Sequence, residues 1–441
     1  MSDLVFEIIG RRTTRARGLI ADRSADLSVA AQGHERMGAL LEALGNPQYA
    51  SRTVHVAGSK GKGTTAHLTA ALLSASGLRT GLYTSPHLLR WNERIAMDGA
   101  AISDADLVAV LDRVDNAMTR IEAEQPHFGP FNAFELLTGA AMLYFRESGC
   151  DAAVIEVGLG GRFDSTNNLH PAVTVITTIE REHIDVLGPD LRTIAWNKAG
   201  IIRPGVPVVV QRQEPEALDV LQAEANLLGA SILLEGRDWT ITDGHPAVLT
   251  GPAGVIDGIE LALPGSRNAA NLAAAVVSAR EANAPDVITA DTIRTVAASI
   301  AIPGRFTLVR HRKTGQRFLL DGAHTSTSLR ELWIAVRERF GSASPVWALA
   351  FLDDKPWAEL LTELAPRAER MLFPQVDHPR AVLAEHLNRV AQQLGAQAEI
   401  VSIDQLAGMT VPDETPIVAT GTFALVSALL AHGDLAGMGD S

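Results

Sequence analysis

The amino-acid sequence predicts an α/β protein with two domains and largely parallel sheets. Short β-branched runs alternate with longer stretches of helical period, the pattern of parallel strands covered by helices. The chain has 441 residues, more than one core usually supports, because domains commonly hold about 100–200 residues. Proline and glycine interrupt the pattern near residues 302–305, after which it starts again. We therefore expect one domain over residues 1–300 and a smaller one over residues 301–441.

Composition narrows the possible function classes. The formal charge of −13 argues against a nucleic-acid partner, because binding to phosphate backbones needs a basic face. Cys150 is the only cysteine, so no disulfide can form within the chain, and a reducing, cytoplasmic location is expected. No apolar run reaches the ~20 residues that a transmembrane helix needs, and the charged N-terminal segment is unlike a signal peptide. We expect an enzyme without a membrane partner that binds small anions through local positive groups.

In the first domain, periodicity predicts five strands and five helices. The strands are expected at residues 53–57, 80–84, 152–157, 173–179 and 206–211. The helices are expected at residues 63–76, 104–124, 133–147, 191–201 and 268–283. Residues 232–263 show a weaker pattern and are expected to add a few strands.

The second domain repeats the alternation on a smaller scale. Its strands are expected at residues 318–320, 346–351, 371–373, 398–403 and 416–419. Its helices are expected at residues 328–340, 357–364 and 380–394. This order predicts a smaller, Rossmann-like α/β domain.

The most informative segment is the glycine-rich run between the first strand and the first helix. It consists of Gly58, Ser59, Lys60, Gly61, Lys62, Gly63, Thr64 and Thr65. Glycines let backbone N–H groups turn towards a phosphate, and the N-terminus of the following helix adds partial positive charge. Lys62 would reach the outer phosphates of ATP, and Thr64 could support Mg²⁺. The spacing GxxGKG[ST] is a variant of the common phosphate loop, so the first domain is predicted to be of the P-loop ATPase type.

Further motifs resemble those of the folylpolyglutamate synthase/dihydrofolate synthase family, part of the Mur ligase superfamily. These motifs are YTSPHL at residues 83–88, NERI at 92–95, FELLT at 134–138, EVGLGGR at 156–162, KAGI at 198–201, PGR at 303–305 and LDGAH at 320–324. Their order matches the family from about residue 40 to about residue 430. The resemblance implies an ATP-dependent ligase that adds L-glutamate to a folate or dihydropteroate carboxylate through an acyl phosphate.

The resemblance also implies cations and catalytic groups. The Mg²⁺ ligands would be Ser85, Glu156 and His183. Of these the histidine is chemically unusual, because Mg²⁺ prefers oxygen ligands. Lys198 is expected to be carbamylated beside a second Mg²⁺, and K⁺ stays an open alternative. The catalytic residues would be Lys62, Lys198 and His324.

Binding roles follow from the same resemblance. Besides the glycine-rich run, the ATP-binding residues would be Asn271, Arg305 and Asp321, the last two reaching ATP from the second domain. The substrate-binding residues would be Pro86, His87, Arg94, Asn132 and Phe134. Phe134 is nearly as well explained as a core residue, and Asn271 also has an alternative as an ordinary helix-face asparagine.

Two segments depart from the family pattern. Arg267 and Asn268 replace a usual His-Gln pair, and Thr325 and Ser326 replace Asn-Pro. These departures leave open a Mur-like amide ligase acting on a different carboxylic acid; a nucleotide-binding protein without ligase chemistry is the second alternative. Mur ligases carry a further N-terminal domain, which is not expected here because Gly58 stands near the first residue. Whether dihydropteroate is a substrate as well as folates stays open, and a monomer is expected.

Overall fold

The chain divides into two units, which are described separately. One comprises Met1–Leu261 with Arg267–Ile300, and the other Ala262–Ser266 with Ala301–Ser441. The computed structural model describes residues 2–20, 27–283, 287–341, 345–411 and 415–437. Within these ranges no helix is both long enough and apolar enough to cross a bilayer.

The first unit contains helices α1 to α10 and strands β1 to β11. The helices are α1 (Ser2–Ile20), α2 (Leu27–Ala43), α3 (Lys62–Ala75), α4 (Asp104–Glu124), α5 (Ala133–Glu147), α6 (Ile184–Leu187), α7 (Leu191–Ala199), α8 (Pro215–Leu228), α9 (Ser266–Asn283) and α10 (Ala290–Ser299). The strands are β1 (Arg52–Ala57), β2 (Thr80–Tyr83), β3 (Ile95–Met97), β4 (Ala100–Ala101), β5 (Ala152–Glu156), β6 (Val173–Ile176), β7 (Val208–Val210), β8 (Ile232–Leu234), β9 (Thr240–Ile241), β10 (Ala247–Gly251) and β11 (Gly254–Ile259).

An eight-stranded sheet forms the centre of this unit, in the order β4-β3-β2-β5-β1-β6-β7-β8. Six of its strands run parallel, and β3 and β4 add an antiparallel edge. Strand β1 lies between β5 and β6, so Val56 pairs with Glu156 on one side and Val175 on the other. The carboxyl ends of β1, β2, β5 and β6 therefore meet at one edge. Strands β9 to β11 form a separate antiparallel sheet.

Helices cover both faces of the large sheet, because alternate side chains of its strands point to opposite faces. Val54 and Val56 are buried in a core shared with α3, α9 and α10. Tyr83 and Ile155 are buried in a second core, which contains residues of α1, α2, α4 and α5. Burial on both faces explains why these strands read as nearly continuous apolar runs in the sequence.

The second unit contains a seven-stranded sheet in the order β16-β15-β14-β17-β13-β12-β18. Its strands are β12 (Thr307–His311), β13 (Arg317–Leu320), β14 (Val346–Leu349), β15 (Arg370–Pro374), β16 (Ala398–Val401), β17 (Ile417–Thr420) and β18 (Leu435–Gly437). Its helices are α11 (Ser326–Phe340), α12 (Trp357–Leu364), α13 (Ala384–Gln393), α14 (Ile403–Gly408) and α15 (Phe423–Leu430). Five strands are parallel, and β12 and β18 are antiparallel at one edge.

The predicted α/β class with mostly parallel sheets is confirmed. The helices predicted at residues 104–124, 133–147 and 357–364 match α4, α5 and α12 end to end. The strand predicted at residues 173–179 ends at Ile176, because the carbonyl of Thr178 turns to the phosphate loop instead of a neighbouring strand. The helix predicted at residues 380–394 begins only at Ala384. Helices α1 and α2, which precede β1, were not predicted.

Candidate active site

The predicted phosphate loop connects β1 to α3 and needs glycine at two positions. Gly58 has a φ of 143°, and a Cβ atom there would lie 1.8 Å from Thr177 Oγ1. Gly61 caps α3 with a φ of 90°, and its Cβ atom would lie 2.4 Å from Asn271 Oδ1. A side chain at either position would combine left-handed strain with a steric clash. The glycine pattern seen in the sequence therefore has a direct structural cause.

The segment after β6 fixes the first half of the loop. The backbone N–H groups of Ser59 and Lys60 donate to the Thr178 carbonyl, at 3.0 and 3.2 Å. The Ser59 hydroxyl donates to the Glu180 carbonyl at 3.1 Å. Arg267, one of the departures from the family pattern, lies 3.2 Å from the Glu180 carboxylate. Arg267 therefore contacts the segment after β6 that holds the phosphate loop.

Asn271 supports the loop from α9. Its Oδ1 atom accepts hydrogen bonds from Gln211 Nε2 at 2.9 Å and from Thr65 Oγ1 at 3.3 Å. The side chain is buried beside Gly61. Contact of Asn271 with a nucleotide stays a prediction, and the structure adds a supporting role. Gln211, which the sequence analysis did not select, follows β7 directly.

Glu156 and Ser85, two of the predicted Mg²⁺ ligands, lie together at the carboxyl edge of the sheet. Glu156 ends β5, Ser85 follows the neighbouring strand β2, and the Ser85 N–H donates to Glu156 Oε2 at 2.9 Å. Glu156 is only 4% exposed. Its two carboxylate oxygens lie 3.5 and 3.6 Å from the position that a Cβ atom on Gly63 would occupy. The structure thus brings these two residues beside the phosphate loop.

The third predicted ligand, His183, lies at the start of α6 with a φ of 46° and is exposed. Across the part of the chain that the structure describes, no three His, Cys, Asp or Glu residues cluster as a metal site. A carboxylate and a hydroxyl beside a phosphate loop are nevertheless the oxygen donors that suit Mg²⁺, which usually takes its other ligands from phosphates and water. The donor set of Ser85 and Glu156 therefore fits Mg²⁺.

Lys198 is buried beneath the phosphate loop, with 1% of its surface exposed. Its Nζ donates to the Gly58 carbonyl at 2.7 Å and to Glu182 Oε1 at 3.1 Å. Lys60 Nζ lies 3.8 Å from Glu182 Oε2, so this carboxylate bridges two lysines. Sequence reasoning missed Glu182, although it directly precedes His183.

Within this cluster, burial and the neighbouring charges have opposite effects on the pKa values of Lys198 and Glu182. Burial lowers the pKa of Lys198 to about 8, although the Glu182 charge raises it. Burial also disfavours the Glu182 carboxylate, but the charges of Lys198, Lys62 and Lys60 outweigh it and lower the pKa of Glu182. Glu182 is therefore ionised at neutral pH, and Lys198 is closer to losing its proton than an exposed lysine.

The predicted substrate-binding residues His87 and Arg94 contact each other. Arg94 Nε donates to His87 Nδ1 at 2.9 Å, and the guanidinium carbon lies 4.7 Å from the Trp91 ring centroid. Burial and then the Arg94 charge lower the pKa of His87 to about 4, so this ring is neutral near pH 7. An arginine held against an aromatic ring is a suitable anchor for a planar or anionic ligand.

Glu93 fixes the loop that carries Pro86 and His87. Its carboxylate accepts hydrogen bonds of 2.7, 2.9 and 2.7 Å from the backbone N–H groups of Leu88, Leu89 and Arg90. Three backbone donors to one carboxylate hold the loop in a single geometry. This arrangement explains the glutamate of the NERI motif.

Asn132 and Phe134 lie at the start of α5. Asn132 is the N-cap, and its Oδ1 atom accepts from the N–H groups of Phe134 and Glu135 at 2.8 and 3.0 Å. The Phe134 ring packs against Gly158, where a Cβ atom would lie 2.4 Å from the ring. Phe134 is therefore half-buried next to the turn that follows Glu156. The substrate roles of both residues stay predictions.

In the second unit, Asp321 and His324 follow β13. Asp321 accepts hydrogen bonds of 2.8 Å from the N–H groups of both Phe306 and Ala323. Burial raises the pKa of Asp321, although the Arg305 charge lowers it. The ring atom His324 Nδ1 lies 2.8 Å from the carbonyl oxygen of Gly322.

Phe423 orders this part of the second unit and was not selected from the sequence. The Arg305 guanidinium lies 4.9 Å from the Phe423 ring centroid. The same ring fills the space beside Gly322, where a Cβ atom would lie 2.3 Å from it. Thr325, the other departure, caps α11 by accepting from the Ser328 N–H at 3.3 Å, so the turn keeps a helix cap.

Comparison with known proteins identifies the family. Residues 119–279 match the Mur ligase middle domain, and residues 304–412 match the Mur ligase glutamate ligase domain. A dihydrofolate synthase/folylpolyglutamate synthase of Bacillus subtilis is 33% identical over 367 residues, 80% of this chain and 84% of that protein. The folylpolyglutamate synthase of Lacticaseibacillus casei is 35% identical over 413 residues, 90% of this chain and 93% of that protein.

The chain belongs to the folylpolyglutamate synthase/dihydrofolate synthase family. A Mycobacterium tuberculosis folylpolyglutamate synthase structure complexed with ADP and AMPPCP is 29% identical, with a TM-score of 0.80 over 96% of this chain and 98% of that chain. A folylpolyglutamate synthase complex with AMPPCP and folate is 33% identical, with a TM-score of 0.75 over 90% of this chain and 93% of that chain. Members of this family are ATP-dependent ligases, so the family and enzyme class predicted from the sequence are confirmed.

Proposed function

We propose that this chain adds L-glutamate to the carboxylate of a folate or dihydropteroate at the expense of ATP. The observation that carries the proposal is the meeting of the phosphate loop with Glu156 and Ser85 at the carboxyl edge of the large sheet. In open α/β sheets, ligands bind at that edge. The family relationship supplies the reaction class, and relatives carry the names of both activities.

In the proposed reaction, a carboxylate oxygen of the folate or dihydropteroate attacks the γ-phosphorus of ATP. ADP leaves, and an acyl phosphate is formed. The α-amine of L-glutamate then attacks the acyl carbon and loses a proton, and phosphate leaves. No protein nucleophile is required, so catalysis consists of positioning the reactants and stabilising charge.

The phosphate loop would bind the triphosphate through its backbone N–H groups and the side chain of Lys62, which begins α3. Ser85, Glu156 and His183 would hold Mg²⁺, which would neutralise charge on the phosphates when bound. In the second unit, Arg305 would add a permanent positive charge, while Asp321 and His324 would contribute hydrogen bonds.

Carbamylation of Lys198 is part of the proposal. The reaction needs a neutral amine that attacks carbon dioxide and loses a proton, and the pKa of about 8 favours such an amine. In the structure, the unmodified amino group of Lys198 forms an ion pair with Glu182. Because a carbamate is negative, we expect that ion pair to open on modification. Mass spectrometry of the native protein in bicarbonate should show the mass of one added carbon dioxide, absent from a Lys198→Met variant.

The acid substrate would lie near Arg94, His87 and Pro86 on one side and near Asn132 and Phe134 on the other. Arg94 is half-buried, and Phe134 supplies an apolar surface. A pocket of this kind, apolar with a few fixed polar groups, suits a pterin ring.

The test is phosphate release from MgATP with L-glutamate, run with 7,8-dihydropteroate and, separately, with tetrahydrofolate. Turnover with both acids identifies a bifunctional enzyme, and turnover with tetrahydrofolate alone identifies a polyglutamylating one. Turnover with dihydropteroate alone identifies a dihydrofolate synthase. Silence with both, from folded protein that still binds ATP, would mean that the acid substrate belongs to another chemical class.

A further inference from the structure

Residues 128–132 form the segment that leads into α5, and two carboxylates hold its backbone. The Phe131 N–H donates to Glu122 Oε1 at 2.9 Å. The Asn132 N–H donates to Glu135 Oε2 at 2.7 Å. Since Asn132 caps α5 and Phe134 follows in its first turn, the position of this α5 entry segment sets the position of both residues.

A buried arginine from α1 holds the first carboxylate. Arg12 is 2% exposed, and its Nη1 donates to Glu122 Oε1 at 2.6 Å. Its Nε donates to Asp115 at 2.6 Å, and its Nη2 donates to Thr119 at 3.0 Å. The oxygen that accepts from Phe131 is thus the oxygen that Arg12 contacts.

A buried arginine from α2 holds the second carboxylate and the segment itself. Arg36 donates to Glu135 Oε1 through Nη2 at 2.6 Å and through Nε at 3.0 Å. Its Nη1 donates to the Phe128 carbonyl at 2.7 Å. The guanidinium carbon lies 5.4 Å from the centroid of the buried Phe131 ring. One side chain therefore contacts the segment at Phe128 and at Phe131.

Arg36 and Glu135 are both buried, whereas the buried Arg12 pairs with a partly exposed Glu122. A buried ion pair is weak evidence of a gain in stability, because replacing it by well-packed apolar residues is often neutral or stabilising. Such pairs do define geometry: a guanidinium donates in fixed directions, and a buried carboxylate that loses its partner must move or become protonated. Two such pairs hold the backbone of the α5 entry segment, at Phe131 and at Asn132. This arrangement indicates that the position of the segment has to be accurate.

We infer that Arg12 and Arg36 are positioning residues for the acid substrate, acting through Glu122 and Glu135 on the α5 entry segment. The helices α1 and α2 then have a specific role in substrate binding, although neither carries a predicted site residue. The inference rests on the proposed function, because it takes Asn132 and Phe134 to contact that substrate.

The experiment compares steady-state kinetics of the full chain with tetrahydrofolate and 7,8-dihydropteroate, varying the acid and ATP separately. Arg36→Met/Glu135→Gln removes both charges together, which avoids an unpaired buried ion, and the new amide oxygen can still accept from the Asn132 N–H. Glu122→Gln removes the negative charge from the more exposed pair and provides a second variant if the first fails to fold. Arg146→Met is the matched control. Arg146 lies on α5 and donates hydrogen bonds to the carbonyls of Leu44 and Gly45, directly after α2, and not to the α5 entry segment.

We expect the KM for the acid to rise about ten- to a hundredfold in the double variant, because small displacements of binding groups have effects of that size. The KM for ATP should stay within about twofold, and the rise should be smaller in Glu122→Gln. Arg146→Met should match the wild type. The single variant Arg36→Lys keeps a positive charge beside Glu135 and should therefore show a smaller rise than the double variant.

Folded variants whose KM for the acid is unchanged, or whose KM values for acid and ATP rise together, would overturn the inference and leave the proposed function intact. A wild-type enzyme that is silent with both acids would overturn the proposed function and the inference with it. Thermal melts decide which variants are folded and are therefore included in the comparison.

Discussion

Lys198 donates a 2.7 Å hydrogen bond to the backbone carbonyl of Gly58, the first residue of the phosphate loop. A side chain from α7 thereby fixes the point at which β1 ends, and the same amine contacts Glu182. The position of the loop thus depends on a buried cation from another helix as well as on its own glycines.

Replacing Lys62 by alanine should lower kcat by about 10²–10³-fold, the size of effect seen when one charge-stabilising donor is removed. The fold should remain intact, since Lys62 is only half-buried. Phosphate release and a thermal melt measure the two quantities. Lys313→Ala, at an exposed turn of the second unit, is the control and should behave as wild type. A fully active Lys62→Ala protein would refute the assignment of the phosphate loop.

Gly61→Ala and Gly77→Ala form a matched pair. Their φ angles are 90° and 89°, but a Cβ atom on Gly61 would lie 2.4 Å from Asn271 Oδ1, whereas one on Gly77 has open space. Both variants should lose about 1–2 kcal/mol of unfolding free energy from left-handed strain, and Gly61→Ala should lose more because of its clash with Asn271. Only Gly61→Ala should also lose ATP affinity, as measured by calorimetry with AMPPCP. Equal ATP affinities in the two variants would show that the contact with Asn271 does not matter for the loop.

His55 should make the protein less stable as the pH falls. The ring lies on β1, with Nε2 2.9 Å from Thr166 Oγ1. The Thr166 hydroxyl donates to Asp164 Oδ1 at 2.6 Å, so its oxygen can only accept from the histidine. The imidazole proton is therefore on Nε2 of His55. Burial, followed by the Arg203 charge, lowers the pKa of His55 to about 3.

In the unfolded chain a histidine takes up a proton below about pH 6.5. Protonation therefore favours unfolding between that pH and the folded pKa, and the free energy of unfolding should fall by about 1.4 kcal/mol per pH unit from this residue. Denaturation by urea between pH 7 and pH 5 measures the slope. In His55→Gln the pH dependence of the unfolding free energy should be flatter than in the wild type, by about one proton. Parallel curves for wild type and His55→Gln would contradict the buried neutral ring.

Cys150 should be unreactive in the native protein. Its Sγ atom donates to the Ala152 carbonyl at 2.9 Å, and burial raises the pKa of the thiol to about 11. At pH 8 only about one thiol in a thousand would be ionised, and the thiolate is the reactive form. Iodoacetamide should therefore label Cys150 only after unfolding in guanidinium chloride. Rapid labelling of the folded protein would show that the thiol is accessible.

Local signals predicted the features that depend on neighbouring residues. The glycines of the phosphate loop, the alternation of strands and helices, and the limits of α4 and α5 could all be predicted because they follow from periodicity and turn chemistry over a few residues. The first two helices, Ser2–Ile20 and Leu27–Ala43, were not predicted. Glu182 and Phe423 were missed because their importance comes from partners in other elements.

By itself, the sequence determined the α/β class, the phosphate loop and membership of the ligase family. Only the tertiary structure decided which residues meet. Ser85 contacts Glu156 across 71 residues of chain, Lys198 reaches Gly58 across 140, and Arg36 pairs with Glu135 across 99. The physical reason is that such contacts depend on the order of strands in the sheet and on which helix covers each face, and no local pattern specifies either.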